Sequence, residues 1–320
     1  MIAEAFYFLL WLVALSWGAD RFVFGASALA KNVGISPMII GLTIVAMGSS
    51  APEIMVAATA SLNGNTDTAV GNAIGSNITN IALVLGITAL MKPLSIGSTT
   101  LKREMPVLLL VSLLATYILS DLFLSRAEGV VLMALFFAFI GGLSWMAFNM
   151  DKDDPLCFET EEEIPSNVPT RKAIMWLLVG LVMLPLSAHF MVDSAVIIAK
   201  FFGLSDLVIG LTIIAIGTSL PELAACIAGV LKNEDDLALG NIIGSNIFNI
   251  LAVLAMPGLI APGAIDPSAA SRDIYTMLAL VILLIAFSFN FRGKRRINRW
   301  EGGGLIICFV IYQFILFNPS

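Results

Sequence analysis

Long apolar stretches follow one another along the chain, and short polar segments separate them. The stretches lack the alternation of apolar and polar positions that a membrane β-strand shows, and about 17 to 25 apolar residues allow a helix to cross a hydrocarbon core of about 30 Å. The pattern therefore predicts an all-α protein with ten membrane-spanning helices. These helices are expected near residues 5–31, 38–61, 69–91, 105–120, 128–148, 173–200, 207–231, 237–260, 274–291 and 301–317.

The composition is that of an integral membrane protein. Hydrophobic residues occupy 58% of the 320 positions and charged residues 12%, about half of the charged share in a typical soluble domain. The first apolar stretch contains Glu4 and has no basic segment before it, so we interpret it as a membrane helix rather than a cleaved signal peptide. The expected partner is the lipid bilayer, and no feature indicates a nucleic acid or an obligatory protein partner.

Basic residues in the loops predict the orientation, because Lys and Arg favour the cytoplasmic side of a membrane. If the N-terminus lies outside, 13 of the 17 basic residues fall in cytoplasmic loops, three fall in outside loops, and Arg21 lies within the first helix. We therefore expect an integral protein of the plasma (inner) membrane with both termini outside.

Two sequence blocks recur with the same offset of 169 residues. Residues 41–54, GLTIVAMGSSAPEI, match residues 210–223, GLTIIAIGTSLPEL, at nine of fourteen positions. Residues 71–81, GNAIGSNITNI, match residues 240–250, GNIIGSNIFNI, at nine of eleven positions. Each half contains five crossings, which is an odd number, so the two repeats are expected to be inverted, as in many secondary transporters.

The repeats define the expected domain organisation. Residues 1–148 form the first five-helix repeat, residues 149–170 an acidic cytoplasmic linker, and residues 171–320 the second, inverted repeat. Transporters of this kind bind their substrates near the bilayer midplane at interrupted helices. The second and seventh helices, which carry the first block, are the ones expected to be broken.

The segment AMGSSAPE interrupts the second helix. Gly48 loosens the helix and Pro52 removes a backbone donor, so the helix is expected to stop near Ala46 or Met47 and to restart at Ala51. Such a break frees backbone carbonyls, which a membrane tolerates only where they face protein or a wet cavity.

Ser50 and Glu53 in this segment have two interpretations. Their S-x-x-E spacing is that of a capping box, which would only start the second half-helix. An ionised Glu inside an apolar run, however, costs at least about 2.5 kcal/mol and usually has a function. Carbonyl, hydroxyl and carboxylate oxygens suit hard cations such as sodium and calcium, so we favour an ion-binding role. The second repeat supplies the corresponding oxygens from Ala215, Thr218, Ser219 and Glu222.

The second block places Asn72, Ser76 and Asn80 four residues apart, which makes a polar stripe on one face of the third helix. Gly71 and Gly75 lie beside the stripe and allow another helix to come close, so helix packing alone is one explanation. The other explanation is that Ser76 and Asn80 complete an oxygen cage around an ion. Ser245 and Asn249 repeat the arrangement.

Charge balance indicates exchange. The two glutamates carry a charge of about −2 when ionised, which one calcium ion or two monovalent ions neutralise equally, so the ions would compete for one site. Two bare carboxylates at low dielectric repel each other, and an empty site should therefore bind protons or resist the conformational change. That behaviour is what an exchanger requires.

These motifs resemble the two alpha-repeats of the sodium/calcium exchanger family. The resemblance rests on GSSAPE and GTSLPE, each followed by GNAIGSNITN or GNIIGSNIFN, and it extends over all ten predicted crossings. It implies that Glu53 and Glu222 are the central carboxylate ligands shared by calcium and sodium. It also implies further ligands, which are the hydroxyls of Ser49, Ser50, Thr218 and Ser219, the carbonyls of Ala46 and Ala215, the side chains of Ser76 and Ser245, and Asn80.

Asn249 departs from the family pattern, because several members carry aspartate at this position. The resemblance therefore implies a site with two acids instead of three and makes potassium co-transport less expected. Ser49, where threonine is common, is a milder change. The large regulatory calcium-binding loop of animal members is absent, since only residues 149–170 separate the repeats.

Few residues outside the motifs suggest chemistry. The three cysteines, Cys157, Cys226 and Cys308, lack metal-ligand spacing and are expected to be small apolar fillers. Charged residues within the first and sixth helices, which are Asp20, Arg21 and Asp193, are expected to pair internally or to face water.

The predicted function is a secondary active antiporter that exchanges sodium for calcium by alternating access, without catalytic residues or cofactors. The long first and sixth helices are the candidates for a sliding gate. Proton/calcium exchange remains an alternative, since protons neutralise the same glutamates, and a cation channel is the alternative from another class. The Ser/His/Asp set or histidine pair of a hydrolase is missing.

Overall fold

The computed structural model describes residues 2–35, 40, 44, 46–95, 98–149, 165, 167–231, 235–288 and 296–317. Helices make up nearly all of this part of the chain. In order, they are α1 Ile2–Asn32, α2 Ala46–Ser49 with Ala51–Leu62, α3 Thr66–Met91, α4 Ser98–Ile118, α5 Arg126–Asn149, α6 Thr170–Phe202, α7 Asp206–Leu231, α8 residues 235–260, α9 Ala269–Ser288 and α10 Arg299–Phe317.

These helices confirm the predicted crossings. Within the described ranges, nine helices are long and apolar enough to span a membrane. The shorter apolar helix Ala51–Leu62 belongs to the remaining crossing, which is the second along the chain. The beginning of that crossing, predicted from residue 38, lies largely outside the described residues.

The helices α3, α7 and α8 form the interior. In an apolar 18-residue stretch of each helix, the buried share is 78% in α3, 67% in α7 and 83% in α8. The corresponding share is 39% or less in α1, α4, α5, α6, α9 and α10. The motif-bearing helices are therefore surrounded by protein, while the others expose much of their surface to lipid.

Glycines bring α3 and α7 into backbone contact at the centre. A Cβ on Gly75 would lie 2.7 Å from the Cα of Leu211, and a Cβ on Gly210 would lie 2.3 Å from the carbonyl oxygen of Thr68. The prediction that glycines beside the polar stripe admit another helix is therefore confirmed, and the helix they admit comes from the other repeat.

The two longest helices, α1 and α6, pack against each other. They have 31 and 33 residues, or about 45–50 Å at 1.5 Å per residue, which exceeds the bilayer core of about 30 Å. A Cβ on Gly18 would lie 3.0 Å from the Cβ of Met183, and a Cβ on Gly25 would lie 2.3 Å from the backbone nitrogen of Leu177. From Gly18 to Gly25 the residue number rises along α1, while that of the contacted residue falls from Met183 to Leu177 along α6. The two helices are therefore antiparallel.

Two short antiparallel ribbons join the repeats. The strand β1, Leu94–Ser95, follows α3 and pairs with β4, Arg296–Ile297, before α10. The strand β2, Phe123–Leu124, precedes α5 and pairs with β3, Gly263–Ala264, after α8. Only α4 separates β1 from β2, so the ribbons lie on opposite faces of the membrane, and the offset of 169 residues relates β1 to β3. The inverted topology of the repeats follows from this arrangement.

Single residues interrupt α2 and α7. Ser50 separates Ala46–Ser49 from Ala51–Leu62, and Ser219 separates the two halves of α7. The predicted restart at Ala51 is confirmed, whereas the first half of α2 reaches Ser49, beyond the predicted stop near Ala46 or Met47. The reason is local, because Pro52 restricts mainly the residue before it and is tolerated in the first turn of a helix.

Candidate ion-binding site

Glu53 and Glu222 lie just after the breaks of α2 and α7. Both side chains are fully buried, and among the described residues none of their four carboxylate oxygens has a hydrogen-bond partner. The two carboxylates are close enough to act on each other electrostatically. Because buried unpaired charges cost much free energy, this pair requires cations or protons to neutralise it.

The capping-box prediction for Ser50 and Glu53 is wrong. Ser50 makes no side-chain cap, since its backbone (φ −90°, ψ 4°) differs from the β-region conformation of a typical N-cap. The same S-x-x-E spacing does make a capping box at the start of α5, where Ser125 N and Oγ each donate to Oε2 of Glu128 over 2.7 Å. The hydroxyls of Ser50 and Ser219 are buried and have no partner in the described part of the chain, so they remain available to a ligand.

Other hydroxyls lie beside the carboxylates. Thr218 of the second repeat is next to Glu53 of the first, and Ser245 is next to Glu222, although neither contact has the geometry of a hydrogen bond to the acid. The Oγ atoms of Ser49 and Ser245 are 3.2 Å apart. Both repeats therefore contribute hydroxyls to one cluster.

The polar stripes of α3 and α8 add unpartnered donors and acceptors. Ser76 Oγ and both polar side-chain atoms of Asn80 and of Asn249 are buried, and they make no hydrogen bond within the described ranges. Asn80 and Asn249 lie in π-helical turns, Thr79–Val84 and Asn249–Val253. Such turns insert an extra residue into an α-helix and are frequent at functional sites, and here they recur at the matching place of each repeat.

The expectation that the break frees backbone carbonyls is wrong for Ala215. Its oxygen accepts a hydrogen bond from Ser219 N at 3.1 Å and is 3.5 Å from Thr218 Oγ1. The interruption is one residue long, so the helical hydrogen bonds continue across it, and the carbonyl of Ala215 keeps only its second lone pair for a cation. The equivalent Ala46 is the first residue of the helical segment Ala46–Ser49.

Asn72 is missing from the predicted ligand set, although it joins the two repeats. Its Nδ2 donates to the backbone carbonyl of Glu53 at 3.1 Å, and Thr218 Oγ1 is 3.5 Å from its Oδ1. Its spacing of four residues from Ser76 is the signal in the sequence that points to it.

The charged residues of α1 and α6 pair internally, as predicted. Arg21 contacts Asp20, and its guanidinium carbon lies 5.1 Å from the ring centre of Trp176. On α6, Nε2 of His189 lies 3.5 Å from Oδ2 of Asp193.

The arrangement is chemically suited to hard cations. Two carboxylates, several hydroxyls and two amides are buried on the motif-bearing helices of the two repeats, and oxygen-rich sets of this kind bind calcium and sodium. Among the described residues, no group of three or more His, Cys, Asp and Glu side chains could hold a metal ion, which leaves two acids as the charged part of the site.

The profile of the sodium/calcium exchanger protein family matches residues 4–145 and 172–318 of the chain. The chain belongs to the sodium/calcium exchanger family. This exchanger is 56% identical to CaxA of Alkalimonas amylolytica over 318 residues, which cover 99% of this chain and 100% of CaxA. It is 31% identical to the sodium/calcium exchanger MaX1 of Methanosarcina acetivorans over 344 residues, covering 97% of each chain.

A solved structure shares the fold. The sodium-calcium exchanger NCX_Mj, soaked with 2.5 mM Na⁺ and 1 mM Sr²⁺, matches with a TM-score of 0.65 and 34% identity over 97% of each chain. The predicted family and the fold of ten helices in two inverted repeats are thereby confirmed. The protein is an integral membrane cation/calcium antiporter and not an enzyme.

Proposed function

We propose that this exchanger uses an inward sodium gradient to export calcium and that the two ions compete for one site between the repeats. Both ions are the transported cargo, and no cofactor takes part. The proposed ligands come from both repeats and are Ala46, Ser49, Ser50, Glu53, Ser76, Asn80, Ala215, Thr218, Ser219, Glu222, Ser245 and Asn249.

One observation carries this proposal. Glu53 and Glu222 come from opposite repeats and are fully buried, and no residue that the structure describes makes a hydrogen bond to their carboxylate oxygens. One calcium ion or two sodium ions would neutralise the pair, whereas the empty site would keep two charges at low dielectric. Loaded forms would therefore reorient more readily than the empty form, and this difference couples the two fluxes.

The moving part in this proposal is the pair α1 and α6. Only 33% of the apolar 18-residue stretch of α1 and 28% of that of α6 are buried, in contrast to the buried helices α3, α7 and α8. Because α1 and α6 pack closely against each other and expose their outer sides to lipid, the pair can slide along the core helices and lose little buried contact. The core that holds the two glutamates would stay comparatively fixed.

The orientation and the domain division are part of the proposal. We propose that the protein lies in the plasma (inner) membrane with both termini outside. Residues 1–148 and 171–320 would be the two repeats, and 149–170 the cytoplasmic linker, most of which lies outside the described residues. The excess of basic residues in the loops assigned to the cytoplasm supports this orientation.

Radioactive calcium flux into proteoliposomes tests the function. Separate batches of vesicles are loaded with sodium, with potassium or at acidic pH, and each is diluted into neutral medium without sodium or potassium, so that outward sodium, potassium and proton gradients are imposed in turn. We expect uptake only with an outward sodium gradient, and its loss in Glu53→Gln and in Glu222→Gln. Glu128→Gln is the matched control, since Glu128 caps α5 away from the site.

Three other outcomes would contradict the proposal. Persistent exchange in both glutamine variants of the site would reject the proposed ligands. Uptake driven by a pH gradient alone would indicate proton/calcium exchange. Calcium flux without any counter-ion gradient would indicate a channel.

A further inference from the structure

Cys226 lies one turn after Glu222 on the same face of α7. Its side chain is fully buried, and Sγ lies 3.4 Å from the carbonyl oxygen of Ala238 on α8. Residues four apart share a face of a helix, so the thiol, which donates to Ala238, lies on the same face of α7 as the Glu222 carboxylate. The two groups are close enough to interact electrostatically.

The groups around the thiol are free to bind. Both carboxylate oxygens of Glu222 are buried without a partner among the residues that the structure describes. The side chain of Asn241, on α8, lies next to the thiol, and its Nδ2 is also buried with no partner among them. Ala57 stands at the equivalent position of the first repeat, so only one half of the ion-binding site has a thiol.

We propose that Glu222 and Cys226 together bind thiophilic divalent cations such as cadmium on the α7 side of the ion-binding site. Thiolate is a preferred ligand of soft metals, while the carboxylate supplies a second negative charge. The bound metal displaces the thiol proton to water, as metals do at cysteine ligands. The amide N–H of Asn241 is placed to donate to the resulting thiolate, and water completes the coordination.

This inference rests on the proposed function at two points, because the buried thiol is reached through the path that calcium takes and Glu222 is a proposed calcium ligand. Cadmium carries the charge of calcium but gains a metal–sulfur bond at Cys226. It should therefore bind more tightly than a site of oxygens alone would allow, and it should compete with calcium because Glu222 is common to both.

A spectroscopic titration of the purified full-length exchanger tests the site. The variant Cys157→Ser/Cys308→Ser keeps Cys226 as the only thiol, and cadmium binding to it produces a thiolate-to-cadmium charge-transfer band in the ultraviolet. We expect a saturable band that disappears when Cys226→Ser is added. Glu222→Gln in the same background should weaken the apparent cadmium affinity by at least about tenfold.

Inhibition of transport provides a second measurement. The cadmium concentration that halves calcium uptake, relative to the uninhibited rate of each variant, should rise at least about tenfold in Cys226→Ser and in Cys226→Ala. It should stay the same in Cys308→Ser, which changes an exposed cysteine on α10.

Different results would reject the cadmium site and the proposed sodium/calcium exchange. Absence of the band in the Cys226-only protein would overturn the site, and so would a band whose affinity is unchanged by Glu222→Gln. A band in a protein that shows no sodium-driven calcium uptake would reject only the proposed function. Monodisperse elution of each variant shows that a lost band is not a lost fold.

Discussion

The side-chain amide of Asn72 donates a hydrogen bond to the backbone carbonyl of Glu53, with 3.1 Å between the two atoms. The hydroxyl of Thr218 lies 3.5 Å from the other side of the same amide. One residue of α3 thus connects the broken helices of both repeats. It holds Glu53 from the backbone side, so the carboxylate oxygens stay free to face a cation.

Asn72→Ala should therefore weaken calcium binding. Loss of a hydrogen bond to a buried group costs about 1–3 kcal/mol, and we expect the apparent calcium affinity to fall by about tenfold. Calorimetric titration of the purified protein measures this change. Asn63→Ala, at an exposed position after α2, is the control, and equal affinity in both variants would contradict a positioning role for Asn72.

Ser50→Ala and Ser219→Ala should separate ion binding from stability. Each removes a buried hydroxyl for which the described residues offer no partner, so the ion-free protein should keep its unfolding temperature or gain slightly. The stabilisation by added sodium or calcium should shrink, because a ligand oxygen is lost. Thermal unfolding with and without these ions measures both effects.

Ser112→Ala is the matched control for these two variants. This serine is also buried, but its hydroxyl donates to the carbonyl of Leu108 at 2.7 Å. We expect the ion-induced shift in unfolding temperature to remain unchanged in Ser112→Ala. An equal loss of the shift in all three variants would mean that the hydroxyls of Ser50 and Ser219 are not ligands.

Asn249→Asp should add a charge-compensating ion to the transport cycle. A third buried carboxylate beside Glu53 and Glu222 must be neutralised before the site can reorient. Calcium flux should then depend on pH or on potassium under conditions where the native protein shows neither dependence. Asn249→Ala removes the amide without adding charge and should show no new dependence, and the same pH and potassium response in both variants would reject the charge argument.

Gly75→Ala should force α3 and α7 apart. The new Cβ would lie 2.7 Å from the Cα of Leu211 and 2.9 Å from the Cβ of Ala215. Overpacking of this kind costs about 1–3 kcal/mol, so both the unfolding temperature in detergent and the calcium flux should fall. Gly141→Ala on α5 is the control, because nothing lies within 4 Å of its Cβ and alanine favours a helix by up to about 1 kcal/mol. Equal unfolding temperatures would contradict close packing at Gly75.

The fold could be predicted from the sequence because a bilayer allows few solutions. Apolar stretches must become helices, and an odd number of crossings per repeat forces inversion. The cluster of Glu53 and Glu222 followed from that inversion together with the duplicated motif. These predictions needed only residue types and spacing.

Other features of the site depend on backbone geometry that spacing does not encode. Ser50 and Glu53 have the same S-x-x-E spacing as Ser125 and Glu128, yet only the second pair forms a capping box. The π-helical turns that contain Asn80 and Asn249 leave no trace in the periodicity. Asn72 acts through a backbone carbonyl, which no side-chain motif reveals.

The ribbons of β1 with β4 and β2 with β3 have a consequence for assembly. Each repeat supplies one strand to each ribbon, and the ribbons lie on opposite faces of the membrane. The repeats are therefore joined as two subunits are when each pairs its strands with those of the other. Two five-helix halves made as separate chains would each present, on either side of the bilayer, the strand that the other needs.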